Sequence, residues 1–363
     1  MSVQGVRACD ACLRRTWLVA RLAGWIELAR HEGRRLPEVL ALDDETLLRA
    51  VAPSEVSRTL AARELLELEA ERAAYAAAGL RAVCRHHPRY PRALLDDSAA
   101  PPIVGWSGEL PDGPAVAVVG TRRASPDGLE VARGLGRGLA AAGVTVVSGM
   151  ALGVDSAAHD GALQAGGPTV AVLAGGADIA YPRSKRALHA RIRERGAVIS
   201  EAPPGFVPRR WCFPARNRII AALGSATIVV QAAVRSGSLI TAELAMDLGR
   251  DVGAVPGSPL DWRSAGANAL LRDGACVVRD ASDALDLALG VGHGLGTDAD
   301  ARTAGLDPAL RALLRRVGEG AASIDTLATT PSEAEAALAG LTELELLGLV
   351  TRGPGGTYQK VLL

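Results

Sequence analysis

Four apolar runs in this chain each stop at a short turn rich in glycine, serine or arginine, and a helix-forming stretch follows. Val116-Ala-Val-Val119 leads into Gly120, Thr121, Arg122 and Arg123, with Ser125 placed to cap a helix that starts near Pro126-Asp127. Val144-Thr-Val-Val147 leads into Ser148, Gly149, Met150, Ala151, Leu152, Gly153 and Asp155, then a helix through His159. Thr169–Ala174 ends at Gly175-Gly176, and Ala226–Gln231 passes to Ser236, Gly237 and Ser238, where serines again cap a helix. The chemistry this suits is anion binding. A helix start offers unpaired backbone N–H groups and the positive end of a dipole, and a guanidinium beside them grips a phosphate in two-point geometry. Arg122 is the foremost phosphate clamp on this reading. Gly149 and Gly153 allow close backbone approach, Asp155 braces its loop rather than binding a metal, and Ser236 and Ser238 serve as cap and phosphate donor together. His159 has no paired nucleophile, so a structural role is expected of it and no catalytic residue is assigned.

A second group of candidates is basic. Between Arg183 and Arg235 lie Lys185, Arg186, Arg209, Arg210, Arg216 and Arg218, in a chain whose lysines are Lys185 and Lys360 alone. Arg216 and Arg218, on either side of Asn217, either present guanidinium groups to phosphates and bases or pair with Glu201 or Glu243 inside the domain. Aromatic residues make up 3% of the chain, and no stacking platform is visible; strand binding would lean on phosphates, with little base preference and strong salt dependence.

The third group is metal-ligating. Cys9-Asp-Ala-Cys12 near the start and Cys84-Arg-His86 much later supply Cys9, Cys12, Cys84 and His86 for a tetrahedral zinc site that would staple the ends of one region. Free thiols in a reducing cytosol are the alternative. Cys212 and Cys276 read as ordinary small residues.

The elements that must position these groups follow from the periodicity. Strands are predicted near Ala115–Gly120, Val144–Ser148, Thr169–Ala174, Ala197–Ser200, Ala226–Gln231, Val252–Val255 and Cys276–Arg279, with helices between them. Alternating strand and helix implies an α/β fold, an extended Rossmann-like, doubly wound, mostly parallel sheet over residues 115–289, whose strand ends line one groove. Residues 1–95 read as a helical, SAM-like domain, 96–114 as a proline-rich connector and 290–305 as a flexible glycine-rich linker. Three helical periods and a strand–turn–strand ending make 306–363 a winged-helix domain. Its third helix, Ser332 to Leu347, carries Glu333, Glu335, Glu343 and Glu345 and no basic residue, which suits a protein contact or regulation better than a duplex.

Composition bounds the function. Lys+Arg and Asp+Glu both number 40, so any nucleic-acid binding must come from a local patch. No apolar run reaches the length of a membrane span and no signal-peptide layout opens the chain, so a cytoplasmic protein without a membrane partner is expected. The first turn lacks Gly-x-Gly-x-x-Gly, and no Walker lysine follows a glycine loop, which argues against a dinucleotide and a P-loop.

In order along the core, Val116-Ala-Val-Val-Gly-Thr-Arg122, Ser148 to Asp155 with Ala158-His159, Tyr181-Pro182, Ser200-Glu201, Phe213 to Ile220, Ser236 to Ala242 and Ala254-Val-Pro-Gly257 resemble the DNA-processing protein A family, DprA or Smf. The resemblance implies single-stranded DNA binding, homodimerisation, and loading of the RecA recombinase in natural transformation and homologous recombination, with no enzymatic step and no required cofactor. It places Tyr181, Arg183 and Lys185 with the turns above as DNA contacts. Leu152 stands where the family has a basic residue, Lys185 where it has Asn, and Gln231 where it has Glu, which implies a weaker or redistributed hold on DNA. The competing reading is a Rossmann-like enzyme that binds or processes a free nucleotide in the same groove.

Overall fold

The computed structural model describes residues 5–291, 305–318, 323–328 and 330–361. Helices α1 (Asp10–Arg21), α2 (Ala23–His31), α3 (Leu36–Ala41), α4 (Asp44–Val51), α5 (Val56–Glu64) and α6 (Leu68–Ala77) precede strands β1 (Arg81–Cys84) and β2 (Ile103–Gly108). Alternation follows: β3 (Ala115–Val119), α7 (Pro126–Ala141), β4 (Thr145–Ser148), α8 (Val154–Gln164), β5 (Thr169–Val172), α9 (Arg186–Arg195) and β6 (Ala197–Ser200). Then come α10 (Cys212–Leu223), β7 (Ala226–Val229), α11 (Gly237–Asp247), β8 (Asp251–Ala254), α12 (Ala265–Arg272), β9 (Cys276–Val277) and α13 (Ala281–Leu289).

The nine strands form one sheet in the order β1-β2-β6-β5-β4-β3-β7-β8-β9. From β3 to β9 every pairing is parallel, while β2 pairs antiparallel with both β1 and β6. A parallel strand is covered on both faces, which is why these strands read as unbroken apolar runs. Side chains alternate between two cores. Ala117, Val119, Val147 and Val172 face the layer with Ile219, Ile220 and Ala242, and Val116, Val118, Val146 and Ile228 face the layer with Leu135, Leu139, Ala158 and Leu285.

Two segments differ from the sequence-based expectation. Arg81–Cys84, read within the helical region, and Ile103–Gly108, read within the connector, are strands that extend the sheet. Both are short, and the second contains glycine and follows two prolines, so neither has a local strand signal; their pairing is a long-range event. The N-terminal helices also share their core with the sheet domain: Leu18, Leu22 and Ile26 pack with Trp211, Cys212 and Ala215 of α10, and Leu13 and Tyr75 with Ile103, Leu173 and Val198. Most of the predicted linker, residues 292–304, lies outside the described residues.

The C-terminal unit comprises α14 (Pro308–Gly318), α15 (Ile324–Leu327), α16 (Pro331–Leu346) and the antiparallel hairpin β10 (Val350–Arg352) and β11 (Tyr358–Lys360), around Leu314, Leu341, Leu344 and Tyr358. This is a winged-helix arrangement, and α16 exposes Glu333, Glu335, Glu343 and Glu345. Among the described residues no helix is long and apolar enough to cross a membrane.

Helices α7 and α8 meet through glycine. A Cβ on Gly136 would fall on the carbonyl of Ala158, and one on Gly161 on the carbonyl of Arg133. Gly136→Ala is therefore expected to lower the unfolding free energy by about 1–3 kcal/mol, as overpacking does, although alanine is the better helix former by about 1 kcal/mol. Urea unfolding checks this; a net gain in stability would mean that the two helices separate at little cost.

Candidate nucleic-acid interface

The turns after β3, β4 and β5 and the first turn of α10 meet at a cleft of about 170 Å³, lined by Arg122, Gly149, Ala151, Leu152, Leu173, Ala174, Tyr181, Pro182, Phe213 and Arg216. Parallel strands bring it about, because their C-terminal ends share one edge.

Its floor is Arg216. The side chain is 5% exposed and donates from Nη1 to the carbonyls of Gly149, at 2.9 Å, and Val172, while its Nε has no hydrogen-bond partner. A Cβ on Gly149 would run into that guanidinium, so this position admits glycine alone without rearrangement. Burial lowers the Arg216 pKa to about 10, with the Arg122 charge adding to the shift and the Asp155 charge opposing it, so the group stays charged at neutral pH. Asp155 lies buried beneath the same turn and accepts from the N–H groups of Gly149 (3.2 Å) and Ala151 (3.3 Å). Its carboxyl is raised above the usual range by burial, against the pull of Arg216 and those two N–H donors. Between them Met150 holds a left-handed backbone, φ 56°, with its side chain fully buried. A non-glycine residue pays roughly 1–2 kcal/mol for that conformation; the paired N–H groups hold it in place.

The first turn is fixed from two sides. Ser125 caps α7, accepting from Gly128 N–H at 3.0 Å, and exchanges two hydrogen bonds with the Gln231 amide: its N–H donates to Oε1 (3.0 Å) and its Oγ accepts from Nε2 (2.9 Å). The Thr121 N–H donates to the Gln231 carbonyl at 2.7 Å. From the other side Gly153, at φ 82°, abuts the turn so closely that a Cβ there would meet the Thr121 carbonyl and the Arg122 backbone. Gly120 is likewise packed, against Val154, and Ser148 donates to the Val118 carbonyl at 2.6 Å.

At the rim Arg122 is exposed and its guanidinium lies over the Phe213 ring, 5.3 Å from the centroid. Tyr181, 44% exposed, sets its ring 5.3 Å from Phe213 at 48°. Scarce as aromatic residues are, two of them meet at the rim beside Arg122, their rings tilted to one another rather than stacked. Phe213, not singled out in the sequence as a contact, stands three residues before Arg216 on the same helix and so on its face.

Other expected contacts stand elsewhere. Arg218 is corrected: it is 2% exposed, gripping Glu201 through two hydrogen bonds of 3.0 and 2.6 Å, with Nε 3.3 Å from Asp97, so the internal ion pair is what it forms. Asn217 donates to the Gly237 carbonyl at 3.1 Å, and Ser236 caps α11 with its hydroxyl 2.8 Å from that of Ser238; none of Ser236, Gly237 and Ser238 lines the cleft. Gly175 is packed on Phe206 and Pro208. Arg123 and Arg183 are exposed and Lys185 half-buried, all outside the lining.

Cys9, Cys12, Cys84 and His86 come together, their ligand atoms all within 4.8 Å of one another. Cys84 ends β1, and Cys9 is the residue before α1. His159 is fully buried, its Nδ1 2.7 Å from the Thr169 hydroxyl.

Residues 81–288 match the family model of DNA recombination-mediator protein A, and residues 297–356 that of the DprA winged helix domain. The first match takes in more than half of the chain, which therefore belongs to the DNA-processing protein A (DprA) family. Over 133 residues it is 50% identical to DNA processing protein DprA of Streptococcus pneumoniae, covering 37% of this chain and 47% of the relative. Protein Smf of Escherichia coli is 37% identical over 214 residues, 56% of each. The chain spans about half the length of the curated relatives it matches. Among solved structures, the S. pneumoniae DprA superposes with a TM-score of 0.62 at 32% identity, covering 77% of this chain and 98% of that one. DNA processing protein A of Helicobacter pylori, described for its single-stranded DNA binding mode, gives 0.51 at 31% identity over 54% of this chain and 91% of that one.

Burial, helped by the Arg216 charge, pushes the His159 imidazole from 6.5 down to about 3. The unfolded chain takes up that proton readily and the folded chain resists it. His159 should thus contribute full stability above pH 6.5 and lose it progressively as pH falls towards about 3, with a slope approaching ~1.4 kcal/mol per pH unit. Urea unfolding between pH 7 and 5 (roughly the upper part of that window) is expected to show a shallower pH slope for His159→Asn than for the parent; equal slopes would remove His159 as the source.

Proposed function

We propose that this chain binds single-stranded DNA in the cleft and delivers it to the RecA recombinase during natural transformation and homologous recombination. It does so in the cytoplasm, as a homodimer and without an enzymatic step. The observation that carries the reading is Arg122 lying over Phe213 with Tyr181 beside it: a cation for a phosphate and two ring faces for bases, on a floor charged by Arg216. Membership of a recombination-mediator family supports the recombinase as partner, and the single-stranded DNA binding described for the H. pylori relative supports the ligand. The residues lining the cleft carry no carboxylate, imidazole, thiol or aliphatic hydroxyl, which favours a binding site over a catalytic one.

In this reading Arg122 holds phosphate, Phe213 and Tyr181 stack on bases, and Arg216, Asp155 and Gln231 keep the turns in place. Arg183 and Lys185 extend the positive surface next to Tyr181. The glutamates exposed along α16 disfavour a duplex, so the winged helix is assigned to a protein contact. The Cys9, Cys12, Cys84 and His86 cluster is assigned to a structural zinc ion, with no cofactor at the DNA site.

Fluorescence anisotropy with a labelled oligonucleotide across a salt series tests the proposal. Single strand is expected to outcompete duplex, with affinity falling as salt rises. Arg122→Ala and Phe213→Ala should each raise Kd by about tenfold or more, the scale of one lost stack or clamp. An unchanged Kd in both variants would move the site elsewhere, and saturable binding of a mononucleotide with no strand binding would favour a nucleotide-processing enzyme.

A further inference from the structure

Two segments that lie far apart in the chain meet at the cysteine cluster. Cys9 and Cys12 sit at the start of α1, and Cys84 and His86 at the end of β1, the outermost strand of the nine-stranded sheet. On the zinc reading of the cluster, we infer that a zinc ion bound by Cys9, Cys12, Cys84 and His86 is the tether that fixes α1, and with it the N-terminal helical layer, to the edge of the sheet.

The geometry suits the ion. With Zn–S near 2.3 Å and Zn–N near 2.0–2.1 Å, a tetrahedral site sets sulfur and nitrogen ligands about 3.6 Å apart. Here His86 Nδ1 lies 3.4 Å from Cys9 Sγ and 3.5 Å from Cys12 Sγ. Three thiols and one imidazole fill a tetrahedral shell, which is the donor set of a closed structural site and leaves no position for a substrate. Cys12 and Cys84 are buried while Cys9 and His86 are exposed, so the site lies at the surface, within reach of a chelator.

The tether would reinforce a seam that also carries backbone and apolar contact: Arg7 N–H donates to the Ala82 carbonyl (2.8 Å), Cys84 N–H to the Arg7 carbonyl (3.2 Å), and Cys12 and Leu13 share a core with Ala82 and Cys84. Cys12 and His86 of the cluster also line a pocket of about 420 Å³, together with Arg85, Phe206, Trp211 and Cys212. A hollow of that size between two layers forgoes packing that would otherwise hold them together. The helices also lean on α10 through Trp211, Cys212 and Ala215, and the same α10 carries Phe213 and Arg216 into the cleft.

The test uses the full-length chain purified without added metal or chelator. Elemental analysis is expected to give about one zinc per chain, and cobalt(II) substitution the visible bands and thiolate charge transfer of a tetrahedral site. Cys9→Ser and Cys84→Ser should lose the metal, His86→Cys should retain it with four thiolates, and Cys276→Ser, remote from the cluster, should retain it. Hydrogen exchange is then compared between loaded and stripped wild-type chain. Stripping should speed exchange roughly tenfold or more in residues 7–21 and 81–86 while β3, β4 and β5 keep their protection. A wild-type chain without zinc that takes up no cobalt, or one with a Cys9–Cys12 disulfide in its place, overturns the zinc reading itself. Zinc present with unchanged exchange on stripping overturns the tether while leaving the metal site standing. Strand binding by the loaded chain is a separate measurement that neither result decides.

Discussion

A guanidinium taken out of water must find acceptors, and Arg216 finds them where two parallel strands end. The carbonyls of Gly149 and Val172 point at it because β4 and β5 stop at the same level, and Asp155 supplies the opposing charge from beneath the turn that carries Gly149. Much of the site follows from accommodating that one group. Gly149 has no side chain because the guanidinium occupies the space a Cβ would need, and Met150 turns left-handed so that the N–H groups on both sides of it can reach Asp155. Gly153 then brings the second turn hard against the first, which sets the height of Arg122 above the floor.

Most of this scaffold was legible in the sequence because buried parallel strands have a plain signature. Each run from Val116 to Cys276 that reads as apolar and β-branched is a strand, within a residue or two at its ends. The two strands that were not legible, β1 and β2, are the antiparallel additions at one edge; what makes Arg81–Cys84 a strand is its pairing with Ile103–Trp106, not its own composition. Arg216 and Arg218 show the same limit at the site. They are two residues apart and identical in type, yet they lie on different sides of α10, and only the positions of Glu201 and Asp97 decide that Arg218 is spent internally. The cysteine and histidine cluster was legible for the opposite reason, since metal-ligand spacing is a local pattern and needed only one distant pair to complete it.

Helix α10 joins parts that the sequence presents as separate. One side of it packs on the N-terminal helices, another on the sheet, and its first turn reaches the cleft. Displacement of the helical layer would therefore be felt at Phe213 even though no residue of that layer lines the cleft. The winged helix stands apart in this respect, with a small core of its own closed by Tyr358 of the hairpin.

The amide of Gln231 has an electrostatic consequence. A carboxylate in its place would set a full negative charge against the turn that bears Arg122 and draw down the potential of that guanidinium. The amide makes both hydrogen bonds to Ser125 without doing so. Leu152, 44% exposed, puts an apolar side chain on the wall of the same cleft. An apolar side chain there holds no tightly bound hydration shell, so contact with that part of the wall strips away less ordered water than contact with a charged head would.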